Sequence, residues 1–374
     1  MTLPLEQLPY PVYFVCHLPK ESENLLRKVI HEGASSTAED LIDQLYEVLR
    51  LWSPDHRAGI GTDILNWPIQ TYVQLMKRGL NVELVSRYVP GQICVAAYEQ
   101  ISPKKLAFNS FVVACQYDRG RPELCNHRIV QNQLNVIDVN TDHFVPHWPQ
   151  PNLICRDHNR GNRLETLAYK GRFRNLADSF KQSDFIKALE QLGTTLIADK
   201  NTKTDLKQVW VNWHDYSQVD VVLAVRNNNP FLLKFKPASK LINAWLAGCP
   251  ALLGPEPAYQ QLRKSDLDYI EVQSPEDAIS ALKRLKSEPG YYQAIVENGW
   301  QRMREYDADG VAKFWRDVLA GPITEGYKSW QKQSLLGKVI GRPIWYAQQA
   351  QYHKQQRFLF NTNREVNSLS TNQE

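Results

Sequence analysis

The residues best placed to do chemistry lie in one run, Lys236-Pro237-Ala238-Ser239-Lys240-Leu241-Ile242-Asn243-Ala244-Trp245-Leu246-Ala247-Gly248-Cys249-Pro250-Ala251-Leu252-Leu253-Gly254. Proline suits the first turn of a helix, glycine suits the left-handed position after its end, and a further proline prevents continuation. Pro237, Gly248 and Pro250 therefore bound a short helix over Ala238 to Ala247, followed by a strand over Ala251 to Leu253. Lys236 and Lys240 then surround the positive end of the helix dipole, where acids normally sit. Free backbone N–H groups, the dipole and two ammonium groups make a good diphosphate site, with Ser239 beside it. Asn243 follows one turn later with an amide that both donates and accepts. The plainer alternative is a solvated basic helix end that tolerates roughly a few tenths of a kcal/mol of repulsion.

The first half holds weaker candidates. Asp118, in Asp118-Arg119-Gly120-Arg121-Pro122, and His127 adjoin expected strands, and either could accept a proton from a hydroxyl. A loop acid and a core histidine are the plain alternatives. Gln131-Asn132 at a strand end offers amide contacts or a turn. Gly59-Ile60-Gly61 begins like a dinucleotide fingerprint but does not follow the first strand, so a turn is expected. The Asp-x-Asp patterns at Asp266/Asp268 and Asp307/Asp309 fall in charged surface-type helices, and no metal site is assigned to them. Trp213-His214-Asp215 reads as a loop. Six cysteines lack paired spacing, so they are expected to be reduced and mostly buried.

The elements that must hold these residues follow an α/β alternation. In the first half strands are expected at Val12 to Cys16, Asn81 to Val85, Phe111 to Cys115 and His127 to Gln131, with helices at Leu41 to Leu51 and Ile64 to Arg78. The proline-containing stretch from Val145 to Arg163 reads as a linker. Beyond it come strands at Thr166 to Tyr169, Thr194 to Ala198, Val219 to Val225 and Ala251 to Leu253, with helices at Ser183 to Leu192, Ala238 to Ala247 and Pro275 to Leu285. The expected division is 1–150, 151–318 and a basic, aromatic tail at 319–374. A chain of 374 residues suits two cores.

The donor-side run resembles the glycosyltransferases of GT-B fold, in particular the group 1 nucleotide-sugar transferases. Their signature of the form Glu-Ala-x-Ala-x-Gly-x-Pro is matched at Ala244, Gly248 and Pro250, with the strand Ala251 to Leu253 after it. The resemblance makes Gly171-Arg172 look like the pair whose guanidinium meets the donor phosphate. Where such families carry two glutamates eight positions apart, this chain has Phe235 and Asn243. The resemblance implies two Rossmann-like domains with parallel sheets facing across a cleft. The second domain would hold a nucleotide-diphosphate sugar through Gly171, Arg172, Lys236, Ser239, Lys240 and Asn243. The first would bind a sugar, lipid-linked or small-molecule acceptor, with Asp118 or His127 assisting. The activity implied is a metal-independent, hexosyltransferase-type transfer without a cofactor. A non-catalytic sugar-nucleotide or glycan-binding protein, and an epimerase of the same fold, are the rival readings.

Composition restricts the partners. Hydrophobic residues at 43% and charged residues at 22% describe an ordinary globular chain, and a formal charge of +4 does not by itself indicate nucleic acid. No apolar run approaches the roughly 18 residues of a membrane span, so a cytoplasmic protein is expected. Residues 326–364 contain no acid, seven Lys or Arg and several aromatics, which suits packing on the first domain or contact with the inner face of an anionic membrane.

Overall fold

The computed structural model describes residues 2–17, 20–52, 62–101, 109–199, 213–227 and 230–370. The chain divides into two compact units, one formed by Met1–Pro146 with Val311–Glu374 and the other by His147–Gly310.

In the first unit β1 (Val12–Val15) leads to α1 (Lys20–Glu32), α2 (Ala38–Trp52) and α3 (Thr62–Met76). β2 (Val82–Val85), β3 (Ile93–Ala97), β4 (Phe111–Cys115), β5 (His127–Val130) and β6 (Asp142–Phe144) follow. They form one sheet in the order β2-β1-β3-β4-β5-β6, with every neighbouring pair parallel. β3 and β4 are buried along their whole length, as strands covered on both faces must be, and this explains their continuous apolar sequences. Leu41, Ile42 and Leu45 form the buried stripe of α2.

The second unit contains β7 (Thr166–Arg172), α4 (Ser183–Gln191), β8 (Thr195–Asp199), β9 (Val221–Ala224), α5 (Ser239–Ala247), β10 (Ala251–Leu253), α6 (Pro257–Leu262) and β11 (Ile270–Glu271). α7 (Pro275–Ser287) and α8 (Pro289–Met303) complete it. Its parallel sheet has the order β11-β10-β9-β7-β8. α7 begins with a reciprocal capping box between Ser274 and Asp277. α9 (Ala308–Val318), α10 (Thr324–Gln331) and α11 (Leu335–Ser370) end the chain. Tyr327 and Trp330 of α10 pack on Phe111, and Arg342 of α11 donates to the Ser110 carbonyl at 2.8 Å, within the first unit.

The stretch read as a linker is instead tied into the second unit. Ile154 exchanges backbone hydrogen bonds with the chain at His214 and Tyr216. Arg156 and Arg160 reach the buried Asp220, which compensates the burial of charge that composition alone could not reveal.

Candidate active site

Parallel strands place all their carboxyl ends at one edge of a sheet, where ligands of open α/β folds gather. In the second unit that edge brings together Gly171 and Arg172 at the end of β7, Arg226 after β9, and Glu256 after β10. α5 connects two parallel neighbours, so it runs back against them and starts at this same edge. Ala238 is its N-cap and supplies no side-chain hydrogen bond. Gly248 closes the helix with φ 72° and ψ 37°, the left-handed conformation that its position required.

The helix start is therefore cationic and unaccompanied by an acid in its first turn. Lys240 extends over the Tyr169 ring, with Nζ 5.8 Å from the centroid. Gly171 lies close beneath them: a Cβ at this position would lie 3.4 Å from Lys240 Cε and 3.3 Å from the Tyr169 ring. The Arg172 side chain lies outside the described residues. Arg226 forms an ion pair with Glu256, which is 1% exposed. Among the described residues Glu256 Oε1 has no hydrogen-bond partner, and neither has the hydroxyl of the buried Tyr259. Burial pushes the Glu256 carboxyl above its ordinary pKa, against the opposing pull of Arg226, Lys240 and Lys236. One acid thus faces three cations, which leaves an excess of positive charge at a helix amino terminus.

Asn243 has a different place. Its Oδ1 accepts the Gln150 N–H at 3.0 Å, and its side chain also bonds Tyr216. It joins the 150 loop to α5. Phe235 is buried, with Lys234 Nζ 5.0 Å from its ring centroid.

Arg226 and Glu256 were not singled out as site residues by sequence. The signal available was the acid-free stretch from Val221 to Pro255, which ends at Glu256. Nothing in that spacing says that Arg226 and Glu256 meet, because contact requires adjacent strands β9 and β10.

In the first unit Asp118 is exposed in the turn after β4, at the carboxyl edge. His127, offered beside Asp118 as a proton acceptor, starts β5 and so lies at the opposite, amino edge. It is buried, stacks on His143 with centroids 5.1 Å apart, and is joined to it by a 2.8 Å Nδ1 to Nε2 hydrogen bond. Burial, then His143 and Arg128, lower its pKa to about 4, so the ring is neutral near pH 7. At the carboxyl edge Gln131 is 3% exposed, and both polar atoms of its amide lack a hydrogen-bond partner among the described residues. Asn132 caps a short turn by accepting from Leu134 N–H at 3.0 Å. A cavity of about 280 Å³ opens at the ends of β1 and β2, lined by Cys16, Glu23, Leu26, Tyr72, Leu84 and Ser86 among others.

The remaining motifs are structural or fall elsewhere. Asp268 is buried and bonds Arg302 at 3.0 Å, while Asp266 pairs with Arg263 at the surface. Asp307 accepts the Gly310 N–H at 2.7 Å. Gly59-Ile60-Gly61 lies outside the described residues. Asp215 accepts the Ser217 N–H at 2.8 Å within its loop. Five cysteines are buried and Cys155 is exposed.

No protein-family model matches the chain, and no curated protein matches it. Among solved structures it is similar to a glycosyltransferase from Rickettsia africae, at 10% identity over 87% of this chain and 99% of that one, with a TM-score of 0.46. It is similar to Anabaena HepE in complex with UDP-glucose, at 11% identity over 84% and 100% of the two chains, with a TM-score of 0.45. Sucrose-phosphate synthase from Thermosynechococcus elongatus is similar at 11% identity over 74% and 80%, with a TM-score of 0.43.

Proposed function

We propose that this protein is a glycosyltransferase that moves a sugar from a nucleotide-diphosphate sugar to an acceptor hydroxyl. The observation that carries the reading is the start of α5, where Lys236 and Lys240 join Arg226 at the carboxyl edge around one buried acid. A diphosphate turns that unfavourable concentration of charge into a favourable one, through helix N–H groups and ammonium groups together. As the glycosidic bond breaks, negative charge grows on the departing diphosphate. Fixed cations then stabilise the transition state more than the ground state, an effect typically of several kcal/mol in a water-excluded site. Arg172, at the end of β7, is assigned to the same phosphates. Ser239 lies in the first helical turn, and Asn243 holds the neighbouring loop.

The acceptor is assigned to the first unit. Asp118 is the group proposed to take the hydroxyl proton, being an exposed acid at the carboxyl edge of that sheet. Its replacement by Asn is expected to lower turnover while nucleotide affinity stays unchanged. Fixed cations make the transfer metal-independent, so a chelator is expected to leave turnover unchanged. The compartment proposed is the cytoplasm.

The deciding experiment is a thermal-shift panel of UDP, GDP, ADP and TDP, followed by transfer from the corresponding labelled hexose donors. The nucleotide that binds should raise stability by roughly 2.7 kcal/mol at 100 times its dissociation constant. Absence of any stabilisation and of any labelled product would overturn the reading.

A further inference from the structure

α11 presents two different faces. Arg342, Trp345, Gln349 and Tyr352 recur at the spacing of one helical stripe and face the first unit. Arg342 donates to Ser110, and Trp345 packs against the cluster of Val15, Cys94, Val112 and Leu124. Gln349 accepts the Glu123 N–H at 2.6 Å, and the Tyr352 ring fills the space beside Gly120. Leu336, Ile340 and Ile344, with Ala347, follow a second stripe about half a turn away at 3.6 residues per turn. Leu336, Ile340 and Ile344 are 69%, 56% and 57% exposed, and Leu335 and Tyr346 beside them are 71% and 54% exposed. An apolar stripe opposite a packed stripe has no core to enter.

Along the chain, the charge of this segment has one sign. Lys332 caps the end of α10, just before the turn into α11, and Lys354 continues the exposed stripe about three turns beyond Ile344. From 326 to 364 there are seven cations and no acid. A protein partner would meet this face with apolar groups and acids arranged to fit it; an anionic bilayer supplies both an apolar layer and a continuous negative surface without any such fit. No helix among the described residues is long and apolar enough to cross a membrane. The geometry is that of a helix lying in the interface, apolar side down.

We infer that the exposed stripe Leu336, Ile340, Ile344 of α11 docks this protein on an anionic membrane surface, with Lys332 and Lys354 meeting the headgroups. The inference does not rest on the donor-site reading. It is tested with the full chain and vesicles of phosphatidylcholine, with or without about 30% phosphatidylglycerol, sedimented at about 50 mM and about 0.5 M salt. Binding is expected only to the anionic vesicles and only at low salt. The triple variant Leu336→Ser, Ile340→Ser, Ile344→Ser should bind at least about tenfold more weakly, because three apolar anchors are removed. Lys332→Gln should weaken binding by roughly fivefold. Melting temperature and nucleotide affinity of the triple variant should match the wild type, which separates loss of docking from loss of fold or of the donor site. Failure of the wild type to bind anionic vesicles at low salt would overturn the inference, as would equal binding by the triple variant. A wild-type dimer that the triple variant dissociates would overturn it too, by assigning the stripe to a second copy.

Discussion

At the amino end of the second sheet Asp220 is completely buried; at the carboxyl end Glu256 is almost so. Their surroundings differ. Asp220 receives Arg156, a bidentate Arg160 at 2.8 and 2.7 Å, and the N–H groups of Glu165 and Thr166. Those bonds outweigh its burial and hold its carboxyl below the ordinary pKa. Glu256 has Arg226 on one oxygen and, among the described residues, no hydrogen-bond partner on the other, and burial raises its pKa. The saturated acid locks β7 to β9 where no ligand is expected. The unsaturated one lies among surplus cations where ligands gather. A buried charge with every lone pair satisfied is a structural fixture, whereas one left incomplete marks a place where something else can bind.

The largest expected effect breaks the structural end. Asp220→Ala leaves Arg156 and Arg160 without their buried counter-charge and should cost about 3–5 kcal/mol, read from urea unfolding. The folded fraction should still bind nucleotide normally. Nucleotide affinity that collapses while stability holds would reverse the two roles.

Next in size are Lys240→Ala and Arg172→Ala. A charge-assisted contact contributes about 1.5–3 kcal/mol, so calorimetry should show diphosphate affinity falling roughly ten- to a hundredfold. The nucleoside should be much less affected. Affinities within about twofold of wild type in both variants would place the phosphates elsewhere.

A smaller effect concerns pH, and here the two acids have opposite signs. Asp220, lowered in the fold, contributes stability above the ordinary carboxylate range that is lost as pH falls through its folded pKa. Glu256, raised in the fold, favours the folded state at low pH and loses that contribution as pH rises through its folded pKa. A bound diphosphate should raise the Glu256 pKa further, so affinity for a nucleotide-diphosphate sugar should weaken with rising pH. Glu256→Gln should flatten that dependence and tighten binding several-fold near pH 8. Weaker binding of the sugar nucleotide alone, with the nucleoside diphosphate unaffected, would instead assign Glu256 to the sugar.

The smallest effect is in the unliganded protein. Lys240→Ala relieves repulsion with the dipole of α5 and should be neutral or stabilising by about 0.3–1 kcal/mol in thermal unfolding at low salt.

Much of the second sheet was legible in the sequence. The strand Ala251–Leu253 and the left-handed Gly248 appear as expected, because proline and glycine act on their own backbone. Phe111–Cys115 was equally legible, as an apolar β-branched run of strand length. β6 and β11 were missed: Asp142–Phe144 carries two polar residues of three, and Ile270–Glu271 is only two residues long. β3 escaped because the same apolar run fits a buried helix segment, and β4 beside it settles the matter.

The sequence by itself determined the local frame of the site: a short helix stopped at Gly248, two lysines at its positive end, and a glycine at the end of β7. These follow from forces acting within a few residues. Only the tertiary structure decided that Arg226 meets Glu256 and that Gly171 lies against Lys240 and Tyr169. It also decided that Asn243 is taken up by the 150 loop and that His127 stacks on His143. Each of these depends on strand order and direction, which bring residues distant in the chain within a few ångströms. Burial then sets their charge, because the energy of an ionised group depends on the surroundings that only the assembled fold provides.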